Sequence, residues 1–378
     1  KDGYNKPMKR KYIFLFIFLL VLNACGDVIE TSTPDTVSPE TSPTEKVSSP
    51  LTVFDLPAAY GIEGSWFELY FTNPKSPLAP QLTGGADGPI VESIDAAKLS
   101  VDVAIYSLSL NSVRNALLRA HDRGVQVRMV MESDNLDRTD PQRLKDAGIP
   151  ILGDRREGLM HNKFIVIDKS EVWVGGMNLT DSGTYEDNNV MMHIHSVKLA
   201  ENFTKEFEEM FVEDLFGDYV LAETPNPRVT IDATPVDTYF SPDDGVQAIL
   251  EDILGNAQKS IYFMAFSFTA DPLGETILER AKEGVTVAGV MDDDQVNSNQ
   301  GTEFDAFSQA GLNVYRDGNP GQMHHKIMII DEEIVIFGSY NFTNSAETRN
   351  DETLLVVYNK DIATQFIAEF QRVYEQAK

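Results

Sequence analysis

HNKFIVIDKSEVWVGGMN occupies residues 161–178, and HHKIMIIDEEIVIFGSYN occupies residues 324–341. Each copy opens His-x-Lys. An aspartate follows after four residues (Asp168, Asp331), and after six more comes a glycine-containing turn that leads to an asparagine (Asn178, Asn341). The runs between lysine and aspartate, 164–167 and 327–330, are β-branched and apolar, as buried strands are. Side chains two apart on a strand project the same way. His161 therefore points with Lys163, and His324 with Lys326. A second strand in each copy (172–174, 334–336) runs back to glycines that permit close packing and a sharp turn. Asn178 and Asn341 return to the end that carries the histidine and lysine. Imidazoles, ammonium groups and amides gathered in this way suit a phosphate site, with donors for the oxygens and a base for the chemistry at phosphorus.

The repetition extends outward from these motifs. Val101 to Leu108 and Ile261 to Phe268 read as buried strands. Each precedes an amphipathic helix. Val113, Ala116, Leu117 and Ala120 share one face and stop at Gly124; Leu273, Ile277 and Ala281 stop at Gly284. Further strands end at Met131 and Met291. A helix with Phe203, Phe207 and Phe211 closes the first half, and one with Ile362, Phe366 and Phe370 closes the second. Strands alternating with helices predict an α/β sandwich in each half. Thr224-Pro225-Asn226-Pro227 reads as the linker. Two long units of this kind face each other across a cleft more often than they stack as a solenoid, and such interfaces hold ligands.

The N-terminus reads as a targeting segment. Lys9, Arg10 and Lys11 precede an apolar run from Tyr12 to Leu22 that is short for a membrane span. It ends in Leu22-Asn23-Ala24-Cys25-Gly26, which resembles a bacterial lipobox, and Cys25 is the chain's 1 cysteine. The expectation is a signal peptide over 1–25 with lipidation of Cys25; cleavage without lipidation is the alternative. A Ser/Thr/Pro-rich tether is expected over 26–60, because its composition buries too little apolar surface to order itself. Domains are expected over 61–226 and 227–378. The protein would then be an extracytoplasmic lipoprotein held at the cell membrane. A lone cysteine leaves no intramolecular disulfide, so the fold rests on its core. The formal net charge of -28 argues against tight non-specific binding to nucleic acid, while a local basic groove can still hold phosphate.

The pattern H-x-K-x4-D-x6-G-[SG]-x-N, present twice, resembles the phospholipase D superfamily. The resemblance covers nearly all of residues 61–378. It implies two tandem α/β sandwich domains, each a mixed sheet flanked by helices, related by pseudo-twofold symmetry with one site at their interface. It also implies a phosphohistidine intermediate and no metal or other cofactor. Carried over, one of His161 and His324 attacks phosphorus and the other serves as general acid and base. Lys163, Lys326, Asn178 and Asn341 hold the non-bridging oxygens. Asp168 and Asp331 tie turns. Gly176 lacks the hydroxyl that Ser339 supplies in the other copy.

In the family an acid or amide further along hydrogen-bonds the far nitrogen of each histidine. Glu352 lies 28 residues after His324, and Asn189 lies 28 after His161. Pairing each with the histidine of its own half makes His324 the protonated acid and His161 the nucleophile. Nearby Glu186 and Asp187 could substitute for the missing carboxylate.

Other signals weigh less. His325 should face away from His324. His193 and His195 alternate on a strand over 190–195, but without a visible third ligand they are not read as a metal pair. Asp292-Asp293-Asp294 lacks the form of a calcium loop and reads as a loop after a strand. The substrate is expected to be a phospholipid head group; a nucleic-acid phosphodiester is the near alternative, since residues 338–347 resemble the bacterial endonuclease branch. Phosphatidyl transfer and a catalytically dead surface binding protein rank lower. A monomer with an internal pseudo-dimer is expected.

Overall fold

The computed structural model describes residues 50–378. Cys25, the expected signal peptide and the expected tether up to residue 49 lie outside the described residues. Among those described, no helix is long and apolar enough to cross a membrane.

The first half contains β1 (Thr52–Leu56), β2 (Ala59–Glu63), β3 (Phe67–Thr72), α1 (Asp87–Ala96), β4 (Ser100–Ile105), α2 (Asn111–Asp122) and β5 (Gln126–Met131). It continues with α3 (Thr139–Asp146), β6 (Ile151–Gly153), β7 (Lys163–Ile167), β8 (Glu171–Gly175), α4 (Asp181–Tyr185), β9 (Val190–His195) and α5 (Val197–Phe211). The second half opens with β10 (Arg228–Ile231), β11 (Thr234–Ser241), α6 (Val246–Gly255), β12 (Ser260–Ala265), α7 (Asp271–Lys282) and β13 (Thr286–Met291). It ends with α8 (Asp293–Ser298), α9 (Glu303–Gln309), β14 (Asn313–Arg316), β15 (Lys326–Ile330), β16 (Ile334–Gly338), α10 (Asn344–Thr348), β17 (Glu352–Tyr358) and α11 (Lys360–Ala377).

The strand orders are β1-β2-β3-β9-β8-β7-β4-β5-β6 and β10-β11-β17-β16-β15-β12-β13-β14. From β3 and from β11 onward the two orders coincide strand for strand. Both sheets are mixed: β4 runs parallel to β5 but antiparallel to β7, as β12 does to β13 and β15. The expected fold is therefore the observed one.

Ordered structure, however, begins before residue 60, inside the stretch expected to be tether. Thr52–Leu56 and Ala59–Glu63 form a hairpin on the edge of the first sheet, in register from Thr52–Glu63 to Leu56–Ala59. Phe54 packs edge-on against Tyr70, and Ile62 joins the core, so this segment does bury apolar surface. The Ser/Thr/Pro composition of the upstream residues concealed the change.

Three cores explain the alternation along each strand. Phe164 and Val166 face one core, Ile165 and Ile167 another. The shared core packs α5 and α11 among both sheets, with Phe203 of α5 against Phe240 of β11 and Phe366 of α11 against Phe71 of β3. The outer core of the first half is filled by α1 and α2, that of the second by α6 and α7. Both faces of the central strands are thus dry, which is why they read as continuous apolar runs rather than alternating ones. Residues 50–378 all fall in one compact unit.

Candidate active site

Each His-x-Lys stretch enters its strand under restraint. Met160 donates its N–H to Glu132 Oε2 at 3.1 Å, and Met323 donates to Asp292 Oδ2 at 3.0 Å. These acids directly follow β5 and β13, 160 residues apart. Each backbone is also tied to the other half: His161 donates its N–H to Asp351 O at 2.9 Å, and His324 donates to Asn188 O at 3.0 Å. The two motifs are therefore docked together by main-chain bonds before any side chain is considered.

The imidazoles are nearly buried, at 7% exposure for His161 and 5% for His324. Their supports cross the interface. His161 Nδ1 lies 2.7 Å from Glu352 Oε2, and His324 Nδ1 lies 2.8 Å from Asn189 Oδ1. This overturns the pairing by half, in which Glu352 served His324 and Asn189 served His161. The reason is the docking: Met160 bridges Asp351 and Met323 bridges Asn188, so each half delivers the residue after that bridge to its neighbour's histidine. Neither Glu186 nor Asp187 substitutes; Asp187 Oδ1 accepts from the Gln322 N–H at 2.9 Å.

The surrounding bonds fix both tautomers. Asn189 donates its amide to Gly183 O at 2.8 Å, so its oxygen faces His324. Glu352 accepts from Ser339 Oγ at 2.7 Å and from Asn350 Nδ2 at 3.1 Å. Both rings carry hydrogen on Nδ1 and keep the Nε2 lone pair for chemistry. Ser339 also accepts from the Thr353 N–H at 2.9 Å, so its hydroxyl is committed to holding Glu352 in place.

Lys163 and Lys326 are buried and donate to the carbonyls of His161 and His324, at 2.6 and 2.8 Å. Tyr106 and Phe266, one residue past β4 and β12, each cover a lysine and a histidine. The ring of Tyr106 lies 5.4 Å from Lys163 Nζ and 5.3 Å from the His161 ring; Phe266 lies 4.6 Å from Lys326 Nζ and 4.7 Å from the His324 ring. Asn178 and Asn341 are half-buried, and their buried Oδ1 atoms have no hydrogen-bond partner.

Burial dominates the electrostatics. It pushes His161 down to about 4 against the pull of Glu352, and Lys163 down to about 7. His324 and Lys326 are held well below their ordinary values, by burial first and the neighbouring lysine next. The acids beneath the site respond in the opposite sense: burial raises Asp292 and Asp187 to about 6 and Asp351 to about 7. An anion entering the site would favour the protonated, cationic forms of the imidazoles and lysines.

Asp168 and Asp331 sit at the far ends of β7 and β15, with φ of 52° and 54°. Asp168 accepts from the N–H groups of Lys98, Leu99 and Ser100, and Asp331 from those of Gln258, Lys259 and Ser260. His325 turns away toward α11, where Nε2 lies 2.8 Å from Glu369 Oε1. The acidic triplet caps a helix: Asp292 accepts from the Gln295 N–H at 2.9 Å at the start of α8. Sequence reasoning missed Glu132, Tyr106 and Phe266. The 160-residue spacing would have found them, since Glu132 aligns with Asp292 and Tyr106 with Phe266.

Fold and site together define a two-repeat α/β protein with one composite His/Lys/Asn centre suited to a phosphate ester. Comparison with known proteins agrees. The family described as cardiolipin synthase, PLD-like domain, matches residues 90–211 and 250–374, well over half of the chain. The chain belongs to this phospholipase D-like family. It is 34% identical over 127 residues to the mitochondrial cardiolipin hydrolase of Chlamydomonas reinhardtii, spanning 34% of this chain and 56% of that protein. It is 27% identical over 160 residues to phospholipase D of Rickettsia bellii, spanning 41% of this chain and 79% of that one. The chain thus spans little more than half of the cardiolipin hydrolase it matches. Among solved structures, phosphatidylserine synthase of Haemophilus influenzae shares the fold, with a TM-score of 0.58 at 13% identity over 77% of this chain and 84% of that one. Nuc of Salmonella typhimurium, a phospholipase D family member, is 30% identical, covering 38% of this chain and 97% of that chain, with a TM-score of 0.36.

Proposed function

We propose that the chain is a phosphodiesterase that hydrolyses phospholipid head-group esters through a phosphohistidine. The observation that carries this reading is the pair of buried imidazoles. Each is held at Nδ1 by the opposite half, and each stands beside a buried lysine.

In the first step His161 Nε2 forms a bond to phosphorus, the bond from phosphorus to the leaving oxygen breaks, and His324 gives that oxygen its proton. In the second step His324 takes a proton from water, the water oxygen bonds to phosphorus, and the N–P bond pair returns to His161. Lys163, Lys326, Asn178 and Asn341 donate to the non-bridging oxygens as charge builds there. By the rule that a carboxylate favours the protonated imidazole, the crossing would make His161 the acid and His324 the nucleophile; the charge of the intermediate argues for the reverse, with His161 as nucleophile. A phosphorylated imidazole that keeps hydrogen on Nδ1 is cationic, and the Glu352 carboxylate compensates that charge, as an aspartate does for a protonated histidine in hydrolytic triads. His324 faces only an amide oxygen. Once protonated beside an anionic substrate, it surrenders its proton readily to the leaving oxygen.

The lipid preference draws support from the relatives named cardiolipin hydrolase and phospholipase D, and from a net charge of -28 that disfavours polyanions. Lipidation at Cys25 would hold the enzyme at a membrane beside that substrate. The test presents the full chain with short-chain phosphatidylcholine, cardiolipin and plasmid DNA, each with chelator present. Release of head group or of phosphatidic acid from the lipids, with slower cleavage of DNA, is expected. Preferential cleavage of DNA would replace the lipid reading with the nuclease one, and no turnover of any substrate would sink both.

A further inference from the structure

His193 and His195 acquire in three dimensions the ligand that the sequence did not display. β9 lies between β3 and β8, in register Glu68–His193 on one side and Trp173–His193 and Glu171–His195 on the other. All of these side chains share one face of the sheet. His193 Nδ1 lies 3.0 Å from Glu68 Oε2, and His195 Nε2 lies 2.9 Å from the same oxygen. One carboxylate thus stands between two imidazole nitrogens, and ligand atoms of the three residues all fall within 4.8 Å of one another. A tetrahedral ion with ligand bonds of about 2.0–2.2 Å needs donors about 3.3–3.5 Å apart, so it would enter with small side-chain movements.

The remaining nitrogens are held as well. Glu171 lies 3.0 Å from His193 Nε2 through one oxygen and 3.6 Å from His195 Nδ1 through the other. A carboxylate on the far nitrogen of each imidazole is the outer support that metal-binding histidines usually have, fixing the tautomer and ring direction. Trp173 stacks on His193 at 4.4 Å with 8° between the planes, which locks that ring further. An open hollow of about 430 Å³, lined in part by Glu68, His193, Glu171 and by Glu92 and Ser93 of α1, gives access from solvent.

We propose that Glu68, His193 and His195 form a binding site for a Zn²⁺-class divalent ion, with Glu171 orienting both imidazoles and water completing the shell from the hollow. Two nitrogen donors and one carboxylate favour zinc over calcium or magnesium, which take mainly oxygen ligands. The ion takes the place of the contacts that the two imidazoles otherwise make with Glu68. The site lies along β9 from Asn189, roughly 13–20 Å away at the rise of a strand. Its role is to clamp β3 and β9, and the chemistry at His161 and His324 does not run through it.

The test strips the full chain with chelator and titrates it with ZnCl₂ by calorimetry. One equivalent is expected to bind with micromolar affinity or tighter, and to raise the melting temperature. Glu68→Gln and His195→Gln should each weaken binding at least tenfold, and Glu171→Gln by about 10–100-fold. The paired variant His161→Asn/His324→Asn should bind zinc like wild type. X-ray absorption at the zinc edge of the wild-type protein should show two imidazoles and oxygen ligands, a readout that stands even where a variant folds poorly. Absence of saturable uptake would overturn the proposal. So would uptake that survives the Glu68 and His195 changes in folded protein, or that disappears with the catalytic pair.

Discussion

Glu352 carries the largest testable consequence of any single residue. It is fully buried and accepts bonds from His161, Ser339 and Asn350, so Glu352→Gln keeps the shape and removes the charge. Turnover should fall roughly a hundred- to ten-thousandfold with little change in KM, by analogy with aspartate-to-asparagine changes in hydrolytic triads. Ser339→Ala, which only loosens the carboxylate, should cost far less. The lysines make a second prediction. Lys163 sits at about 7 in the free protein because burial disfavours its charged form. A bound phosphate anion favours the charged form, so binding takes up protons above neutrality, and affinity falls as pH rises through and beyond 7. Calorimetry with inorganic phosphate in buffers of different ionisation enthalpy at pH 8 should show net proton uptake. Zero uptake would mean that Lys163 is already charged in the empty site.

Elements were legible in the sequence wherever both faces of a strand are buried. The runs 164–167 and 327–330 alternate between two dry cores, and their β-branched, apolar residues between turn signals read as buried strands. β1 and β2 were not legible, because an edge hairpin with one exposed face and charged residues (Asp55, Glu63) resembles a linker. The turn after β7 is where an element-level prediction can be made. Burial alone would raise Asp168, but the N–H groups of Leu99, Ser100 and Lys98 hold it below its ordinary value. Its folded pKa is depressed, so its contribution to stability is present above the usual carboxylate range and is lost on acidification. Asp168→Ala should cost about 2 kcal/mol, since three backbone donors lose a charged acceptor and a φ of 52° favours Asp or Asn over Ala. Asp168→Asn should cost less. Thermal melts check the order, and activity well below the transition should be unchanged, because the aspartate lies at the opposite end of β7 from Lys163.

At the scale of the molecule the pseudo-twofold relation is broken most consequentially at the supports of the two histidines. His161 faces a carboxylate and His324 an amide, although strand order, lysines, covering aromatics and the acids under each motif match. The twofold repeat was visible in the sequence; the crossing was not, because both candidates lie 28 residues after a histidine and only the docking of Met160 on Asp351 and of Met323 on Asn188 assigns them. If the charge of the supporting residue sets the roles, moving the charge should move the roles. Asn189→Asp and Glu352→Gln are isosteric, and together they place the carboxylate on His324 and the amide on His161. Wild-type protein quenched during turnover with denaturant at alkaline pH, where the N–P bond survives, should carry its phosphoryl or phosphatidyl group on the peptide containing His161. The double variant, with residual activity, should carry it on the peptide containing His324. Asn189→Asp alone should leave the group on His161 and slow its formation, because the general acid then holds its proton more tightly. Retention of the adduct at His161 in the double variant would show that the direction from which the leaving group approaches the cleft, and not the buried carboxylate, fixes the nucleophile.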